Sequence, residues 1–88
     1  MDQTTKPIRF SGHVLEQLGY RGTTSEEIIS AIQSTEWTPA ELGRLECRLN
    51  MKFDKEWNNK YYETKQVRPI FVAEVDEIVV ITVYVYYF

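Results

Sequence analysis

Leu45-Glu46-Cys47-Arg48-Leu49-Asn50-Met51-Lys52-Phe53 is the stretch that decides the fold. Leu45, Cys47, Leu49, Met51 and Phe53 are apolar and the residues between them are polar, the period of a strand with one face buried and one wet. Downstream, Asp54 to Asn59 reads as a turn, because Asn58-Asn59 tolerates the left-handed backbone of a tight hairpin. Lys60 to Val72 is strand-like but interrupted by Pro69, which has no N–H to give to a ladder. Val75-Asp76-Glu77 turns the chain again. Ile78 to Phe88 is apolar on both faces and belongs inside a sheet. As an open edge it would aggregate, so either an N-terminal strand pairs with it or a partner covers it.

Upstream the period lengthens. Ile8-Arg9-Phe10 alternates as a short strand, and Ser11 offers an N-cap. Val14, Leu15 and Leu18 follow helical spacing from Gly12, with Gly19 as the expected stop. Thr24-Ser25-Glu26-Glu27 is a capping box opening a second helix, whose stripe is Ile28, Ala31 and Ile32 and whose end falls near Thr35. Trp37 to Gly43 reads as a loop punctuated by Pro39 and Gly43. The expectation is an α+β fold: a short N-terminal strand and two helices packed on a three- to four-stranded antiparallel sheet. Residues 1–7 form a flexible arm, and residues 8–88 a single domain.

Size agrees. The chain has 88 residues, of which 43% are apolar, room for one core and not for a second domain. A lone Cys47 excludes an internal disulfide, and a lone His13 excludes a His-rich zinc site. Met1 to Pro7 lack the apolar run of a signal peptide, and the apolar run Ile78 to Phe88 is too short and too β-branched for a membrane helix. A cytoplasmic protein with no membrane partner is the expectation.

The net charge of −3 hides a local reversal. Residues 48–68 carry six cations (Arg48, Lys52, Lys55, Lys60, Lys65, Arg68) against three anions (Asp54, Glu56, Glu63), interleaved with Phe53, Trp57, Tyr61 and Tyr62. Single-stranded RNA is bound by such surfaces, with cations along phosphates and rings under unstacked bases. A solvated strand face with protective lysines has the same composition.

Several segments resemble a small bacterial domain family of undefined function: His13-Val14-Leu15-Glu16-Gln17, Arg21-Gly22-Thr23, Gly43-Arg44, Trp57, Lys60, Tyr62, Lys65-Gln66-Val67, Pro69, and Glu77 to Tyr84 with Tyr87-Phe88. That family is distantly similar to the RelE and BrnT toxins of toxin–antitoxin pairs. The resemblance implies two helices on a small antiparallel sheet, metal-free RNA cleavage and a silencing antitoxin. Two departures stand out: Gln17 sits where many relatives carry a basic residue, and the chain is acidic.

Cleavage without a metal needs a base for the 2′-hydroxyl, cations on the phosphate and an acid for the leaving oxygen. The expected catalytic set is His13 as acid/base, with Arg21 and Lys65 on the phosphate; Arg44, Lys60, Tyr62 and Arg68 complete an RNA-binding surface. Cys47, on the buried row, has no second histidine to activate it. No cofactor and no metal are expected. The expected partners are RNA, including ribosome-bound mRNA, a small antitoxin-like protein, and a second copy in a homodimer. The alternative function is a non-catalytic protein–protein interaction module on the same fold.

Overall fold

The structure, a computed structural model, describes residues 5–88. Its spine is a 14-residue strand, β5 (Lys60–Ala73). On one side it pairs antiparallel with β6 (Ile78–Tyr87), and on the other with β3 (Leu45–Glu46) and β4 (Leu49–Trp57). A two-residue strand, β2 (Thr38–Pro39), extends the β3 side, and β1 (Ile8–Phe10) runs parallel to β6. The fold is α+β as expected, but the sheet is mixed and has six strands rather than three or four. The residues expected as a loop after Trp37 supply β2, and the alternating stretch is divided in two.

That division has a plain cause. Glu46 lies opposite Ile70 and Leu49 opposite Val67, so β3 and β4 share one register and Cys47 faces Pro69. Proline brings no N–H to that point, so the ladder lapses for two residues while the strand direction is kept. Pro69 does not stop β5 itself, which runs unbroken through it. The expected turn from Asp54 is also shorter than read. A bulge between Lys52 and Lys55, with Asp54 at φ 49°, carries β4 on to Trp57. Asn58 (φ 52°) and Asn59 (φ 69°) alone make the hairpin, both left-handed as a twisted two-residue loop requires.

A second bulge explains why Ile78 to Phe88 is apolar on both faces. The β5–β6 pairing shifts at Ile70/Phe71, where Val80 and Thr82 are successive partners and Ile81 is extra. The buried set therefore changes parity, from Ile78 and Val80 to Val83. The bulge is satisfied from outside the sheet. Gln17, only 3% exposed, accepts from the Val83 N–H at 3.1 Å and from the Thr82 hydroxyl at 2.8 Å.

Gln17 belongs to α1 (Gly12–Arg21), which Ser11 caps by accepting from the Val14 N–H. The helix passes through Gly19, its expected stop, and ends at Gly22 (φ 76°), whose N–H reaches the Leu18 carbonyl at 3.1 Å. Beyond the reach of β1, α1 runs along the outer side of β6: Ser11 donates to the Val80 and Ile81 carbonyls, and the Tyr87 hydroxyl to that of Arg21. Strand β1 and helix α1 together cover the edge that threatened aggregation. Helix α2 (Ser25–Ser34) opens with the expected capping box at Thr24 and Glu27. It buries Ile28, Ala31 and Ile32 against Val67 and Phe71. Trp37 closes the layer, edge-on to Phe71 with ring centroids 5.1 Å apart.

Of the expected flexible arm, residues 1–4 lie outside the described residues. Lys6 donates to the Glu74 carbonyl, and the Pro7 carbonyl accepts from Ile78, so the arm's end is fastened to the β5–β6 turn.

Gly19 inside α1 and Gly22 at its C-cap should respond oppositely to alanine. A Cβ on Gly22 would come within 2.7–2.8 Å of the Trp57 ring and collide with the Tyr87 hydroxyl; one on Gly19 meets nothing within 4 Å. Gly22→Ala is expected to lose at least ~2 kcal/mol from backbone strain and overpacking, roughly a 10 °C fall in Tm. Gly19→Ala should raise stability by roughly 0.5–1 kcal/mol, because alanine holds a helix interior better than glycine. Thermal melts check both, and equal responses would mean that Gly22 is not the helix end.

Candidate nucleic-acid interface on the open sheet face

Both helices lie on one side of the sheet, and side-chain alternation then sorts each strand into a covered row and an open row. Lys65, Val67, Pro69 and Phe71 of β5 are buried in the covered row. Gln66, Arg68 and Ile70 face the other way. Strand register aligns them with their neighbours: Glu46 with Ile70 and Thr82, Arg48 with Arg68 and Tyr84, Asn50 with Gln66 and Tyr86. The open face is thus a grid of polar, cationic and aromatic side chains.

The three residues expected to act together do not meet. His13 stands exposed at the start of α1, with no side-chain partner among the described residues. Lys65 is buried, its ammonium 2.6 Å from the Gly22 carbonyl and 2.9 and 3.1 Å from the two oxygens of Glu27. Its charge is spent on clasping the α1–α2 turn to the sheet. His13 and Gly22 are nine residues apart, about 13 Å along the helix. Arg21 alone of the three reaches the open face, its guanidinium 5.7 Å from the Tyr84 ring centroid.

The expected RNA-binding residues also divide. Lys60 lies over the Tyr62 ring at 5.6 Å, and Tyr62 packs 5.7 Å from Tyr87. There Trp57 stacks on Tyr87 at 5.1 Å and Phe53 tilts against it, an aromatic packing cluster near the α1–α2 turn. Arg44 and Arg68, by contrast, line a groove of about 580 Å³ on the open face, between the sheet and the loop after β2.

The floor of that groove is organised by a residue that sequence reasoning passed over. Glu46, 8% exposed, accepts from both Nε and Nη2 of Arg68, at 3.2 and 2.6 Å, and from Arg48 at 3.3 Å. Arg68 extends the network by donating to the Tyr86 hydroxyl at 3.1 Å, and it lies 5.6 Å from the Tyr84 ring. Tyr84 therefore has a guanidinium on its β5 side and another, Arg21, from the helix side. Hydrogen bonds from Arg68 hold the Glu46 carboxyl below its usual range against the opposing effect of burial, and Glu46 raises Arg68 in turn. Arg48, Arg68 and Glu46 share a parity on adjacent strands, but the bulge between Lys52 and Lys55 hides it: counting back from the Asn58-Asn59 hairpin without the bulge sets Arg68 opposite Leu49.

Two arginines, Arg44 and Arg68, and two glutamates, Glu41 and Glu46, line this groove, and Arg48 and Arg21 reach its lining residues Glu46 and Tyr84 from outside. Among the described residues the Arg44 side chain has no partner, and Arg21 Nε is buried without an acceptor. A face of this kind can hold a polyanion along its arginines and stack flat rings on its tyrosines. Among the described residues no three His, Cys, Asp or Glu side chains gather as a metal-donor set, and no helix is long and apolar enough to cross a membrane. Compared with known protein families, curated proteins and solved structures, the chain matches none.

The Glu46–Arg68 pair carries a pH signature. Because the native carboxyl is depressed, its stabilisation is complete above the unfolded value, about 4.3, and is lost as pH falls through the native one. Denaturant unfolding from pH 7 to pH 2 should show wild type losing stability faster below about pH 4 than Glu46→Gln. Parallel profiles would mean that the pair is not formed in solution.

Proposed function

We propose that the protein is a toxin-like, metal-free ribonuclease whose site is the open sheet face, centred on Glu46 and Arg68 rather than on His13 and Lys65. The observation that carries the reading is one shielded carboxylate held by two arginines, one of which also donates to a tyrosine hydroxyl, at the floor of a groove that Arg44 lines as well. Glu46 takes the proton of a ribose 2′-hydroxyl, and the freed oxygen attacks the adjacent phosphorus. Arg68 and Arg48 neutralise the charge that accumulates on the pentavalent phosphate. Tyr86 accepts from Arg68 and keeps its own proton, which it gives to the departing 5′-oxygen. The products are a 2′,3′-cyclic phosphate and a free 5′-hydroxyl.

The order of one short strand, two helices and an antiparallel run supports the resemblance to RelE- and BrnT-type toxins. An RNA substrate, ribosome-bound mRNA included, would place the activity in the cytoplasm, and a small antitoxin-like protein would silence it by covering the face. The second reading, a non-catalytic protein–protein module, is favoured by the net charge of −3 and by Tyr84, Tyr86 and Phe88, exposed by 39%, 43% and 59%.

Cleavage of RNA in EDTA, with and without ribosomes, separates these readings. Wild type and His13→Ala should cut alike, whereas Glu46→Gln and Arg68→Ala should each lose on the order of 10²–10³-fold. Background-level cleavage by every variant would leave the interaction module as the surviving reading. Loss in His13→Ala with retention in Glu46→Gln would return the chemistry to α1.

A further inference from the structure

One residue at the rim of the groove works against the stability of its own loop. Leu42 has φ 60° and ψ 33°, a left-handed conformation that crowds any side chain, and it sits just before Gly43, which adopts φ 72° at no such cost. Burial could compensate a leucine so placed, but Leu42 is 85% exposed. The loop is not loose there. The Ala40 N–H donates to the Arg44 carbonyl at 2.8 Å and the Arg44 N–H to that of Glu41 at 3.1 Å, so the chain is pinned on both sides of the strained residue. Sparsely populated backbone held by its surroundings concentrates where a ligand is gripped.

The surroundings name the ligand. Leu42 lines the groove from the loop side, with Ile70 and Tyr84 among the lining residues of the sheet, Arg44 and Arg68 beside them, and two carboxylates, Glu41 and the Glu46 already paired with Arg68. The space is therefore bounded by an aliphatic side chain and a ring, with cations within reach. A flat, largely apolar group joined to a phosphate fits that chemistry, and an unstacked nucleotide of single-stranded RNA is such a group. We propose that the groove between Leu42 and Tyr84 is a subsite for one nucleobase, with Leu42 pre-positioned to close over it. The inference rests on the reading of the open face as an RNA site and adds a residue that selects the base rather than the backbone.

Leucine's cost to the loop and its value to the ligand make a separable test. Fluorescence anisotropy with a short single-stranded RNA made uncleavable by 2′-O-methylation would be run beside thermal melts. Leu42→Gly is expected to keep or raise Tm while weakening binding roughly tenfold, from the lost apolar contact. The same oligomer with abasic positions should bind wild type and Leu42→Gly equally, since only phosphates then make contact. Arg68→Ala should weaken both oligomers. If Leu42→Gly binds the full oligomer as wild type does while Arg68→Ala does not, the subsite is refuted and the RNA face stands. If wild type binds neither oligomer, both fall together.

Discussion

A strand can bury only every second side chain, and in β5 that constraint governs the molecule. Because Lys65, Val67, Pro69 and Phe71 lie under the helices, Gln66, Arg68 and Ile70 must lie on the opposite side. Val67 and Phe71 receive α2, and the Lys65 ammonium holds the α1–α2 turn through Glu27 and the Gly22 carbonyl. Both helices are thereby committed to one layer. The other layer stays open, and the residues there are neither apolar enough for a core nor plain solvated charge.

The clasp at Lys65 and the grid at Arg68 are consequences of the same alternation, with opposite physical outcomes. Lys65 is matched by Glu27, so its charge is neutralised where water is scarce. Arg68 shares Glu46 with Arg48, and Arg21 and Arg44 have no carboxylate at all among the described residues. Positive charge therefore gathers on one face of a chain whose total is −3. A net charge describes solubility and long-range steering, whereas local recognition depends on which cations lack a partner.

Two irregularities give this small sheet its shape. At Pro69 the missing N–H opens the ladder between β3 and β4 without changing the register, so Glu46 and Arg48 still project to the same side. At Ile81 the extra residue changes which side chains of β6 are buried, and Gln17 supplies the acceptor that the displaced Val83 N–H needs. A basic side chain at position 17 could not accept that bond, which gives a physical reason for glutamine there.

Elements with a local cause were legible in the sequence: the capping box at Thr24, the alternation after Leu45, the Asn58-Asn59 hairpin, and an N-terminal strand to shield the last one. Each depends on residues near one another in the chain, whose spacing and backbone preferences act before tertiary contacts form. The end of α1 was misread at Gly19 because either of two glycines can terminate a helix, and the choice fell to Trp57 and Tyr87, which need the space at Gly22. Which candidate residues come together was illegible for a related reason. Lys65 and Arg68 are three residues apart on one strand, and nothing in their order reveals which of them the helices will cover. Only packing decided it, by laying both helices on the odd-numbered face of β5, so that one cation became part of the core and the other was left open to a ligand.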